Sequence, residues 1–229
     1  MKVALESIHK QIEASAKKSG RPKEAVTLIA VSKTYPKEAI EEAYQLGCTH
    51  FGENKVQELM GKIESIEVPL QWHLIGHLQT NKVKYVVGQV ALIHSVDSLK
   101  LAKEIQKESV KKEVITSILI EVNVAKEDSK QGIFVEDVLE LVQEISKLSH
   151  VRLRGFMTVA PYVENPEENR AIFRALYNLS VDIQKQNIDN ISTSVLSMGM
   201  SNDYEVAIEE GATHVRIGTA LFGARDYNK

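Results

Sequence analysis

The sequence predicts an α/β protein, a single (β/α)8 TIM barrel with an extra N-terminal helix, and three observations carry that expectation. Eight short runs rich in branched residues recur from residue 27 onward. Between them lie segments with apolar positions at helical spacing, bracketed by proline, serine or glycine. No linker, low-complexity tract or shift of composition divides the chain, so residues 1–229 read as one domain. Strands joined by helical crossovers make a parallel sheet, and eight such units favour closure. An open doubly wound sheet has the same periodicity, so closure itself is not readable from the pattern.

The elements follow in order. Residues 4–19 form the extra helix, ahead of the first strand, "TLIAVSK" from Thr27. Pro36 at a first turn and Gly47 just past the end bracket "KEAIEEAYQL", where Ala39, Ile40, Ala43 and Leu46 supply an apolar stripe. "HFGEN" from His50 is the second strand, and the helical "KVQELMGKI" follows it. "QWHLIGH" from Gln71 and "ALIHSV" from Ala91 are the third and fourth, leading into "SLKLAKEIQKESVKK" with Leu99, Ala102 and Ile105 on its inner face. "SILIEVN" from Ser117 and "RLRGFMTV" from Arg152 come next, then "PEENRAIFRALYNLSVDIQKQ" with Ile172, Phe173, Leu176 and Leu179. "TSVLSMGM" from Thr193 is the seventh strand. Ser201 is placed to cap "NDYEVAIEEG", which stops at Gly211, and "HVRIGTALF" from His214 is the eighth strand.

Composition narrows the partners. A net charge of −3, from Lys+Arg 28 against Asp+Glu 31, supplies no basic field for nucleic acid. No stretch reaches the roughly 20 apolar residues that span a membrane, and the N-terminus lacks an uninterrupted signal core. The single cysteine, Cys48, makes no internal disulfide and reads as a buried structural thiol in a reducing compartment. The expectation is a cytoplasmic protein.

In a parallel barrel, functional groups gather at the C-terminal ends of the strands. Those ends carry Lys33, Glu53 and Asn54, His77, the segments "MTVAP" and "SMGMSND", and "RIGTALFG". Lys33 alternates with Ile29 and Val31, so its amine would close an apolar face, where desolvation lowers its pKa from about 10.4. A neutral amine attacks an aldehyde, which is the chemistry of a Schiff-base lysine. The other reading is a lysine that reaches solvent beside Thr34 and Tyr35.

Gly199 and Ser201 precede one helix, and Gly218 and Thr219 follow the last strand, so backbone N–H groups from two loops could converge on one phosphate. Ordinary turn glycines and a capping serine are the alternative, and Asp203 and Glu205 would weaken an anion site if they faced it. Arg216 alternates with Val215 and Ile217, so if those two pack on the outer helices it enters the barrel, where a buried guanidinium needs a ligand or an acid partner. His73 and His77 would suit a metal on a helix, but Trp72, Leu74 and Ile75 make a strand there, so no metal site is expected. Glu53 and Glu58 admit a carboxylate pair, although a solvated helix face explains Glu58 more simply.

The segments "AVSKTYP", "FGENKVQE", "WHLIGHLQTNK", "GFMTVAP" and "LSMGMSNDYEVAIEEGATHVRIGTALFG" together resemble the pyridoxal-phosphate homeostasis protein family, in its order and over nearly the whole chain. The resemblance implies a barrel related to the N-terminal domain of alanine racemase, with pyridoxal 5′-phosphate held as a Schiff base on Lys33. It implies further that Ser201, Gly218 and Thr219 bind the phosphate and that Arg216 faces the pyridine nitrogen. By the same resemblance Asn54 would lie beside the cofactor, and Ser197 and Met200 would line its phosphate side. Tyr35 stands where part of the family has a second lysine. A cation beside the ring nitrogen disfavours its protonation and weakens the ring as an electron sink. Alanine racemase places one base on a second domain, which this sequence is not expected to supply.

The expected function is therefore storage, buffering or delivery of the cofactor to apo forms of pyridoxal-phosphate enzymes, by a monomer without turnover of its own. A pyridoxal-phosphate-dependent amino-acid racemase is the competing reading. A barrel enzyme acting on a phosphorylated sugar is a third, which would keep the anion site and leave Lys33 without a carbonyl partner.

Overall fold

A computed structural model describes residues 1–127 and 130–223. Residues 224–229, at the end of the expected domain, lie outside the described residues. Eight parallel strands close into a barrel in sequence order. They are β1 (Thr27–Val31), β2 (His50–Glu53), β3 (Gln71–Leu74), β4 (Leu92–Val96), β5 (Thr116–Glu121), β6 (Val151–Met157), β7 (Ile191–Met200) and β8 (His214–Ile217). Closure comes from β8 pairing with β1, Arg216 opposite Ile29 and Ile217 opposite Ala30, which rules out the open sheet.

The helices are α1 (Lys2–Lys18), α2 (Lys37–Gln45), α3 (Val56–Ser65), α4 (Val83–Val86), α5 (Leu99–Lys111), α6 (Val138–Ser146), α7 (Arg170–Lys185), α8 (Tyr204–Glu209) and α9 (Thr219–Phe222). Their apolar stripes bury Ile40 and Ala43 of α2, Leu101, Ala102 and Ile105 of α5, and Phe173 and Leu176 of α7. These meet strand residues such as Ala30, Phe51, Ile93, Ile118, Val215 and Ile217 in the main core between strands and helices. Burial of each large side chain contributes about 1.5–3 kcal/mol. Leu92, Leu119 and Met157 form a second, smaller apolar cluster. The extra helix α1 packs on α8 and α9 through a face that includes Leu5, Ile8 and Ile12. The Tyr204 hydroxyl donates to Gln11 Oε1 at 2.6 Å across that contact.

Four local expectations change. β1 stops at Val31, so Lys33 sits in the turn that follows and strand alternation does not set its direction. β3 stops at Leu74, which leaves His77 in a loop. "TALF" forms helix α9, not a continuation of β8. Ser201 does not cap α8: the cap residue is Asp203, and the Ser201 hydroxyl is taken up by donors from another loop.

Cys48 is buried, and desolvation pushes its thiol up to about 11, so it stays protonated at neutral pH. No helix among the described residues is long and apolar enough to cross a membrane.

Candidate functional site

The expected site residues belong to four strand ends that adjoin in the closed barrel, β7, β8, β1 and β2. Lys33 is partly exposed in a turn closed by the Tyr35 N–H donating to Ser32 O at 3.0 Å. Thr34 adopts φ +70, a conformation that a β-branched residue takes only when its surroundings impose it. The surroundings are visible. The Thr34 N–H donates to Glu58 Oε1 at 2.5 Å, and the Ser32 hydroxyl donates to Glu53 Oε1 at 2.6 Å. Lys62 Nζ ties these anchors together, donating to Ser32 O at 2.8 Å, Glu53 Oε1 at 2.8 Å and Glu58 Oε1 at 2.7 Å.

Lys33 is thus flanked on both sides by residues pinned to one buried ionic cluster. Glu58 is no idle solvated side chain, and the two acids share a lysine instead of pairing with each other. Desolvation raises the pKa of Glu53, opposed by its hydrogen bonds to Lys62 and Ser32. On the outer side of the turn, the Tyr35 ring stacks on Phe222 at 4.7 Å and its hydroxyl donates to Gly223 O at 2.7 Å. Tyr35 therefore fastens the Lys33 turn to the segment after β8.

That segment carries the candidate anion cradle. Ser201 Oγ accepts the N–H of Gly218 at 3.2 Å and of Ala220 at 3.3 Å, so backbone donors from the loop after β8 already converge on an oxygen from the loop after β7. A Cβ at Gly218 would press on Val31 O at 3.3 Å, which is why the loop can lie against the end of β1. Gly199 has φ +89, and a Cβ there would come within 2.8 Å of Tyr204 Cα, so only glycine lets the end of β7 pass so close to α8. Asp203 is buried and satisfied, accepting the Met200 N–H at 2.7 Å on one oxygen and Asn169 Nδ2 at 2.8 Å on the other. Met200 and Thr219 are exposed at the rim. Asn54 begins the loop after β2, where the missing side chain of Gly76 makes room for its backbone.

Arg216 enters the barrel, as its alternation predicts, and is 4% exposed. Its partners are a hydroxyl and a carbonyl: Nη1 donates to Ser197 Oγ at 2.7 Å and Nη2 to Thr158 O at 2.9 Å. Among the described residues no carboxylate forms a salt bridge with it, so the expected alternative of a structural ion pair is not realised. Burial lowers its pKa to about 10, which leaves it charged at neutral pH.

Sequence reasoning missed what lies behind Arg216. His94 Nδ1 is 2.9 Å from Ser197 Oγ, His94 Nε2 is 2.9 Å from His73 Nδ1, and His73 Nε2 is 2.9 Å from His50 Nδ1. His214 stands beside this row, its ring centroid 6.1 Å from that of His73. Burial holds His73 at about 3, His214 at about 4 and His94 well below the usual range, so these rings are neutral at pH 7. The signal available in the sequence was a histidine at an inward position in "HFGE", "QWHL", "LIHSV" and "HVRI". His73 belongs to this row whereas His77 is on the surface, 3.8 Å from Asp97, which separates the two members of the suggested metal pair. Among the described residues no group of three or more His, Cys, Asp or Glu is placed to hold a metal ion.

Glu121, at the end of β5, was also missed. It is buried, and desolvation pushes it up to about 7, opposed by Arg216 and reinforced by Asp97. A carboxyl raised above its unfolded value near 4.5 adds stability that is complete below that value and lost as pH rises through 7. Glu121→Gln is expected to remove this loss. Relative to wild type the variant gains on the order of 3 kcal/mol in urea unfolding at pH 8, and much less at pH 5. An equal difference at both pH values would show that Glu121 does not titrate in this window.

With this geometry in view, similarity to known proteins becomes informative. Residues 3–226 match the family described as alanine racemase, N-terminal domain. The pyridoxal phosphate homeostasis protein of Aquifex aeolicus is 47% identical over 97% of each chain. The chain belongs to the pyridoxal phosphate homeostasis protein family. PipY of Synechococcus elongatus, solved without pyridoxal phosphate, is similar at 36% identity and TM-score 0.87 over 97% of this chain and 100% of that one. It has also been solved with pyridoxal phosphate bound, at 37% identity and TM-score 0.80 over 87% and 93%. Alanine racemase of Clostridium difficile shares the fold of the family's barrel at TM-score 0.71 and 14% identity, with 57% of the racemase chain covered.

Proposed function

We propose that the protein is a non-catalytic carrier of pyridoxal 5′-phosphate, bonded to Lys33 as a Schiff base and released to apo forms of enzymes that use the cofactor. The observation that carries this reading is the convergence at one barrel mouth of three groups suited to three parts of one molecule. These are an amine on a pinned turn, a cradle of backbone N–H groups, and a buried guanidinium that forms no salt bridge among the described residues. The relative from Synechococcus elongatus, solved with pyridoxal phosphate, supports the choice of ligand.

The residues fit the group. The Lys33 amine adds to the aldehyde carbon, and the C=N bond forms with loss of one water. Ser201, Gly218 and Thr219 hold the phosphate, with Met200 on the same side and Asn54 beside the ring, while Ser197 is buried behind Arg216. A guanidinium has five N–H donors, and Arg216 gives two of its nitrogens to protein acceptors, so donors remain for a ring nitrogen that stays unprotonated. The bound cofactor supplies carbonyl chemistry and electron withdrawal, and Arg216 keeps the second of these weak. A charge-assisted hydrogen bond to the phosphate contributes about 1.5–3 kcal/mol, enough to separate the phosphorylated cofactor from free pyridoxal. The whole chain acts as one binding domain, monomeric and cytoplasmic.

The test is a paired measurement on purified, cofactor-loaded protein. Transfer to an apo-enzyme, read as recovered activity of that enzyme, is expected to proceed, while deuterium exchange at the α-carbon of added alanine stays at background. Exchange at enzymatic rates that Lys33→Ala abolishes would replace the carrier with the racemase reading. Failure to retain any aldehyde cofactor would favour the phosphorylated-sugar enzyme.

A further inference from the structure

The row of imidazoles has a direction that its hydrogen bonds determine. Arginine only donates, so Ser197 Oγ accepts from Arg216 and its own proton goes to the remaining partner, His94 Nδ1. An imidazole that accepts at Nδ1 and is neutral carries its proton on Nε2. His94 therefore donates to His73 Nδ1, and His73 in turn donates from Nε2 to His50 Nδ1. The opposite direction would leave the Ser197 proton without an acceptor inside the barrel. In this direction a charged His73 or His50 would set two N–H groups against each other, and a charged His94 would set its N–H against the Ser197 O–H.

We propose that His94, His73 and His50 are positioning residues for Arg216. With Ser197 they form a one-way hydrogen-bond chain that presents a lone pair to the guanidinium and takes the place of an acid partner. All members point their positive ends away from Arg216, and chained hydrogen bonds polarise one another in a low-dielectric interior. Glu121 and Asp203 also act on the guanidinium, but at charge-to-charge range beyond a salt bridge. The chain ends at His50, the first residue of β2, on the face opposite the candidate site. There His50 lines a cavity of about 460 Å³ with His9, Lys10, Glu13, Thr27 and Cys48. The far face of the barrel thereby takes part in orienting a group at the cofactor mouth, an effect that rests on the carrier reading only where cofactor is the readout.

The experiment has two arms on the full chain. In cofactor-free protein labelled with ¹⁵N-histidine, two-bond ¹H–¹⁵N correlations at neutral pH are expected to find all three rings neutral with the proton on Nε2. A proton on Nδ1 of His94 or His73, or a charged ring, overturns the chain. In the second arm, His50→Leu removes the terminal acceptor, whereas His50→Asn keeps an acceptor oxygen near the position of Nδ1. The leucine variant is expected to shift the spectrum of bound pyridoxal phosphate and to weaken its retention about threefold to tenfold, with asparagine restoring both. A leucine variant with wild-type spectrum and wild-type tautomers at His73 and His94 would sink the proposal. If wild-type protein binds no cofactor, the carrier reading fails and the tautomers still decide this one.

Discussion

Lys62→Met is expected to lower the unfolding free energy by about 3–5 kcal/mol, the cost of leaving a buried charge without its partner. Lys62 is 8% exposed and Glu53 is fully buried, and the second oxygen of Glu53, Oε2, has no hydrogen-bond partner. Removal of the amine leaves the Glu53 carboxylate facing only the Ser32 hydroxyl, and deletes the bond to Ser32 O that steadies the Lys33 turn. The sign with pH follows from Glu53. Its pKa is already raised by desolvation, and losing the lysine raises it further, so the variant's deficit shrinks as pH falls and the carboxyl takes up a proton. Urea unfolding of Lys62→Met, and of the double variant with Glu53→Gln, measures the effect, and the double variant is expected to recover much of the loss. A deficit below about 1 kcal/mol for the single variant would place the cluster among ordinary surface pairs.

Lys33→Ala is expected to abolish the adduct that borohydride traps between protein and pyridoxal phosphate, while the barrel survives. The lysine lies outside β1 and is partly exposed, so its truncation opens no core cavity and the barrel stays folded. Mass mapping of the reduced wild-type protein is expected to find one phosphopyridoxyl group on Lys33. Modification concentrated on Lys37 or any other lysine, or an adduct that persists in Lys33→Ala with an intact circular dichroism melt, would overturn the assignment. Lys62→Met links the two results, since a loosened turn should weaken cofactor retention with Lys33 itself unchanged.

The sequence by itself determined the strand-and-helix order, because each helix buries one stripe and each strand carries branched residues to face it. Ile40, Ala102 and Phe173 were readable as core from spacing alone, and they are buried. That Arg216 points opposite Val215 and Ile217 was also legible, since strand alternation is a local property of the backbone, and burial of those two against the helices sends it inward. Local rules failed where a contact joins distant segments. Alternation could not set the course of Lys33, because the strand stops two residues earlier and Glu53, Glu58 and Lys62 impose the turn. Ser201 looked like a helix cap in its own loop, and only the pairing of β7 with β8 brings it the N–H groups of Gly218 and Ala220. The four inward histidines were visible one strand at a time, but the hydrogen bond from His94 to His73 joins two strands and the one from Ser197 to His94 crosses the barrel. Such contacts depend on register between strands, which closure sets and no single strand encodes.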